Sequence, residues 1–189
     1  MAAVRKVTSE NIISAALKII RRSGMSALNA RSLAAELGCS TRPIYLCFGG
    51  MDVVKKEAVV KITQIYRGYL SREVQSGKYP EYKAYGMGYI RFAREEKQFF
   101  SYLFMRDRKG AYEGRDGGES ESVLSAAGKA TGLDRDAAEF FHLESWIFVH
   151  GIAAMLATSY IDFDEETVQK MVTDMFAGLK MKYTGNGVN

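Results

Sequence analysis

A chain of 189 residues, 47% of them apolar, is long enough to bury a core, and it shows no internal repeat that would make it an array. Its two cysteines fit neither a disulfide framework nor a metal-site spacing, which suits a reducing compartment. The net charge of +4 is unevenly held: residues 1–60 carry nine Lys/Arg against four Asp/Glu, residues 61–110 eleven against five, and residues 111–189 six against thirteen. A basic front and an acidic back are either a chance asymmetry of solvated faces or the footprint of a polyanion such as nucleic acid.

The start, MAAVRKVTSE, has basic residues but no apolar stretch behind them, so it does not read as a secretory signal, and a cytoplasmic protein is expected. Helical periodicity then runs nearly throughout, and an all-α fold follows. Thr8 or Ser9 caps a first helix carrying Ile12, Ile13, Ala16, Leu17 and Ile20, which Gly24 stops. Asn29 caps a second with Leu33, Ala34 and Leu37, ended by Gly38. Ser40 caps a third, TRPIYLCF, closed by Gly49 and Gly50. Pro43 falls in the first turn of that helix, where its missing N–H costs nothing, and this leaves Ser40 the amide of Arg42 to cap.

A longer helix is expected from Asp52 to about Ser76. Another starts near Pro80, and FAREEKQFFSYLFMR adds one dense in aromatic residues. Residues 107–122, four glycines among charges, read as a mobile loop. A short helix over about Glu121–Ala130 follows. Asp134 caps a long one to about Ser159, and Asp162 or Asp164 a final one to about Lys182. The apolar run from Trp146 to Ala157 is too short for a membrane span and is interrupted by His150, so a core helix and no membrane are expected.

Two short helices around a glycine turn, with a third packed across them, make a helix-turn-helix unit. Leu33, Leu37, Cys39, Ile44 and Phe48 supply its core, and Thr41, Arg42, Pro43, Tyr45 and Leu46 are left to face outward. The stretch IISAALKIIRRSGMSALNARSLAAELGCSTRPIYLCF resembles the DNA-binding domain of the tetracycline-repressor (TetR) family of transcriptional regulators, over about 50 residues in register. The resemblance implies a helix-turn-helix DNA-binding domain over residues 1–50 and a helical ligand-binding and dimerisation domain over 51–189. It also implies a homodimer that represses by binding a palindromic operator in double-stranded DNA and lets go when a small-molecule effector binds. Two positions depart from the family: Leu46-Cys47 replace a polar or aromatic pair, and Gly50-Met51 replace a Ser-Lys that contacts the DNA backbone, a role left to Lys55 or Lys56.

In this arrangement Arg42 reaches guanine O6 and N7, and Leu46 one turn later meets a thymine methyl. Thr41 and Tyr45 suit phosphate, together with Asn29, Arg31, Ser40 and Pro43 around the two helix starts. Cys39 and Cys47, about 10 Å apart along a helix, are beyond the ~7 Å reach of a disulfide.

Further on, Glu139-x-x-His142 has the spacing of a di-iron bundle helix but no second such pair, so no metal is expected. His142, Trp146 and His150 share one stripe, which lines the core, a dimer seam or a ligand. The aromatic middle offers either plain core or an adaptable pocket, and Tyr89, Phe92, Phe100, His142 and Trp146 are the candidate ligand contacts. Gly151, Ala153, Ala154 and Ala157 suit a close helix contact, read as a dimer seam. No phosphate loop, metal spacing or nucleophile with an evident base is present, so neither an enzyme nor a cofactor is expected. The rival to a regulator is a helical small-molecule-binding protein that has lost sequence-specific DNA recognition.

Overall fold

The computed structural model describes residues 7–106 and 121–185, and among these every regular element is helical. Most of the segment read as a mobile loop, residues 107–120, lies outside the described residues; Glu121 and Ser122 open a helix.

Helix α1 (Ser9–Ser23) is capped by Thr8, whose Oγ1 accepts from the Asn11 amide while Asn11 Oδ1 accepts from that of Thr8. This reciprocal box satisfies two amides the helix leaves open. Its face of Ile12, Ala16, Ile19 and Ile20 is buried against α2 (Ala30–Leu37) and α3 (Arg42–Phe48). Asn29 caps α2 and Gly38 ends it in the left-handed region at φ 64°, as its position in the sequence required.

The start of α3 differs from expectation. Thr41, already in helical conformation, is the N-cap, and neither it nor Ser40 makes a side-chain capping bond. The reason is Pro43. It has no amide to satisfy, the Ile44 amide reaches Thr41 O at 3.1 Å, and only the exposed Arg42 amide is left for water.

Helix α4 (Met51–Ser76), 26 residues and about 39 Å long, connects this front to the rest and packs along α5 (Glu81–Glu95). Gly88 sets their approach: a Cβ there would sit 3.0 Å from Leu70 Cα and 3.1 Å from Tyr69 O. Helices α6 (Lys97–Phe104), α7 (Glu121–Thr131), α8 (Arg135–Ala157) and α9 (Glu165–Tyr183) surround α5, which touches all four. Asp134 and Asp164 cap α8 and α9 through the amides of Ala137 and Thr167.

The hydrophobic interior has two parts. The larger runs without a break from Ile12 of α1 through Val54, Ala58 and Ile62 of α4 to Val172 of α9, so the core crosses the expected boundary at residue 50. The smaller gathers Tyr82, Val123, Ala126, Ala127 and Phe141 beneath α7. Among the described residues α8 alone is long and apolar enough, by length and composition, to cross a membrane; here it packs against α5, α7 and α9.

Small residues near the end of α8 do not form one seam. Ala153 and Ala157 belong to the protomer's own core, while Gly151 and Ala154 are half-buried. The apolar stripe that α8 leaves uncovered is Phe140, Leu143 and Ile147.

Candidate functional site

The short helices of the basic front present one exposed face. Ile44 is fully buried and fixes the rotation of α3, so Arg42, Tyr45 and Leu46 stand in solvent, Leu46 at 75% exposure. With Tyr45 beside it, Leu46 puts an apolar side chain on the exposed face of a seven-residue helix. Arg31, Arg42, Lys55 and Lys56 form no ion pair among the described residues, whereas Arg22 nearby pairs with Glu36 at 3.4 Å. Unneutralised cations beside a helix N-terminus make a surface suited to phosphate.

Asn29 takes a structural part here. Its Oδ1 accepts from the amides of Arg31 and Ser32, each at 3.0 Å, and Ser32 Oγ accepts from the Asn29 amide. The residue aims the start of α2 and leaves the Arg31 side chain exposed. Ser40 is exposed, Thr41 and Pro43 are half-buried at the start of α3, and Lys55 is half-buried one turn into α4. Both cysteines are free thiols, Cys47 exposed on α3.

A second site is a cavity of about 280 Å³ between α4, α5, α7, α8 and α9. It exists because the two hydrophobic clusters do not merge: Tyr66, Leu70, Tyr89, Val149 and Val172 of the larger face Tyr82 and Val123 of the smaller across it. Two tyrosine–histidine pairs stiffen its wall. Tyr82 Oη lies 2.9 Å from His142 Nδ1, and Tyr89 Oη 2.8 Å from His150 Nδ1, because α5 and α8 run side by side with matching seven- and eight-residue steps. Burial holds the His150 imidazole below its ordinary pKa, so it is neutral at pH 7.

Of the candidate ligand contacts, Tyr89, His142 and Trp146 line the cavity. Phe92 and Phe100 do not. Both are fully buried, Phe92 against Tyr66 and Tyr69 and Phe100 against Tyr89 and His150, and they serve as the floor behind the lining. Lys83, Gly86, Ser145, Thr173, Met175 and Phe176 line it without having been anticipated. The step from Tyr82 to Tyr89 on α5 could have pointed to Gly86 between them, since the three share a face. Thr173 and Phe176 carried no such signal, because α9 reads as one continuous amphipathic stripe.

A series of contacts leads from the cavity to the basic front. Trp146 stacks on His150 at 5.1 Å between centroids and His150 on Phe100 of α6 at 5.8 Å. One residue before Phe100, Phe99 lies under the Arg21 guanidinium of α1. Arg21 also grips Glu96 with two bonds, of 2.8 and 3.0 Å, at the start of α6. Among the described residues no cluster of His, Cys, Asp or Glu could hold a metal ion. No family model and no curated protein matches the chain.

Proposed function

We propose that the chain is a ligand-responsive, DNA-binding transcriptional regulator of the TetR kind, a cytoplasmic homodimer that represses by binding a palindromic operator and is released by a small apolar or amphipathic effector. The observation that carries this is α3: a helix-turn-helix reading gives a use to Arg42, Tyr45 and Leu46, exposed together on a helix narrow enough for the major groove and flanked by cations that form no ion pair among the described residues. Residues 1–50 then read DNA, and the remainder dimerises and binds the effector.

The route between the two sites favours the same function. An effector against Trp146 displaces the stack on Phe100, and α6 carries the movement to α1 through Phe99, Glu96 and Arg21. Two states of α6 relative to α1, one fitted to DNA and one to effector, are all that release needs.

The test is a gel shift with DNA from the promoter beside the protein's own gene. A shift abolished in the double variant Arg42→Ala, Tyr45→Ala, with helicity unchanged, is the expected result. Failure of the wild type to retard that DNA, or any promoter-length fragment from its own genome, more than it retards random sequence removes the proposal. The loss of the Ser-Lys pair at Gly50-Met51 favours the second reading, a helical binding protein without sequence-specific recognition, and the same gel decides between them.

A further inference from the structure

The chemistry of the effector can be drawn from the cavity, and this step rests on reading the cavity as the effector site. Among the described residues that line it Lys83 alone is charged, and no Asp or Glu is present. The Lys83 ammonium donates to Thr173 Oγ1 at 2.8 Å and lies 5.0 Å from the Tyr79 ring centre, and it forms no ion pair among the described residues. Its neighbours are better served. Lys78 pairs with Glu165 at 2.7 Å, and Arg91 reaches both Glu73 and Glu165. Burial first, and the charge of Lys78 second, lower the pKa of Lys83, so its ammonium stands short of counter-charge at the cavity wall.

On the facing helix, Ser145 Oγ and Trp146 Nε1 are buried without a hydrogen-bond partner. Both residues line the cavity, and an indole N–H can only donate. Leaving a buried donor unmade is costly, and a protein tolerates it where a ligand makes the bond. The polar complement of the cavity thus includes two groups that only donate, the Lys83 ammonium and the Trp146 indole, and the Ser145 hydroxyl, which can donate, set in aromatic and aliphatic walls.

We propose that the cavity takes an amphipathic oxyanion, whose acceptor oxygens meet Lys83 and the donors of Ser145 and Trp146 and whose flat apolar body lies along Tyr82, Tyr89 and Trp146. Aromatic walls by themselves would equally suit a lipophilic cation. Lys83 opposes one, and among the described residues no carboxylate lines the cavity to receive it.

Three ligands with one body and three charges test this: 2-naphthoate, 2-naphthamide and 2-naphthylmethylammonium, titrated by calorimetry into the full chain. The naphthoate is expected to bind about tenfold tighter than the amide, and the ammonium weakest. Lys83→Met brings the naphthoate down to the affinity of the amide and leaves the amide unchanged. Trp146→Phe, which keeps an aromatic ring at the wall and removes the donor, weakens both roughly threefold. An amide as tight as the naphthoate in the wild type, an ammonium tighter than either, or no binding of any of the three overturns the assignment, with no variant needed. DNA enters none of these titrations. A chain that fails the gel shift and still ranks the ligands in the expected order keeps the oxyanion site, and one that shifts its operator and ranks them otherwise loses it.

Discussion

Arg42 and Lys55 differ in what they can report, because only one of them stands on α3. An arginine at the first position of a groove-borne helix reads a base, and Arg42→Ala is expected to cost roughly 1–3 kcal/mol per half-site and to relax the preference at one position. Lys55→Ala should weaken every sequence alike and flatten the salt dependence by about one phosphate. Anisotropy titrations over a panel of single-base operator variants separate the two; an unchanged ranking for Arg42→Ala makes that residue a phosphate clamp. Ile44→Ala acts differently, since this fully buried side chain holds α3 in place, and a loss of about 2–5 kcal/mol of stability by denaturant unfolding is expected. Asn29 was legible as a cap from sequence because capping is a local matter of one side chain and two amides three residues away. Ser40 was not, since removing an amide at Pro43 abolished the demand that a cap would meet.

At the level of helices, Asn29, Gly38 and Asp134 act as the sequence indicated, and where it left two caps open the structure uses Thr8 rather than Ser9 and Asp164 rather than Asp162. What the sequence did not disclose is how near two helices come. The Gly88 contact between α4 and α5 leaves no room for a methyl group, and both near atoms at Leu70 and Tyr69 belong to the backbone. Gly88→Ala should therefore lower stability by about 1–3 kcal/mol although alanine is the better helix former, and a thermal melt equal to or above wild type would refute this. The α9 cap offers a test by acid. Hydrogen bonds from Thr167 hold the Asp164 carboxyl below its ordinary pKa of 3.8. Its contribution is complete above 3.8 and disappears as pH falls further and the carboxylate is protonated in the folded chain. Asp164→Asn, a cap with no charge to lose, should thus close its stability gap to wild type below that pH and show its full deficit above it.

For the molecule as a whole, the uncovered stripe of α8 decides assembly. Phe140, Leu143 and Ile147 lie on one face at helical spacing. If two copies close over this face, Ile147→Glu yields a folded monomer by sedimentation and loses the palindrome, because the two recognition helices are no longer held one duplex turn, ~34 Å, apart. Ala157→Glu is a different experiment. It places a charge in the protomer's own core and should unfold the chain. A wild type that sediments only as monomer at micromolar concentration rules out the homodimer. The stripe was half legible: the sequence showed α8 apolar on nearly every side, and which side the protomer keeps for itself is fixed only once α5, α7 and α9 have packed. The cavity was legible still less, since it is the space two hydrophobic clusters fail to share, and no single helix records it.

The indole of Trp146, the only tryptophan in the chain, is stacked on an imidazole inside that space. The molecule thus carries one indole, which can be excited at wavelengths its eleven tyrosines do not absorb, placed in the wall of the cavity. A neutral imidazole quenches indole weakly and an imidazolium strongly. Because burial lowers the pKa of His150 from 6.5, the emission of the empty protein should stay bright through pH 6.5 and dim only in more acid solution. Any compound that enters between the rings should change the spectrum at once, so a library can be screened for the natural effector by light alone, with neither label nor DNA.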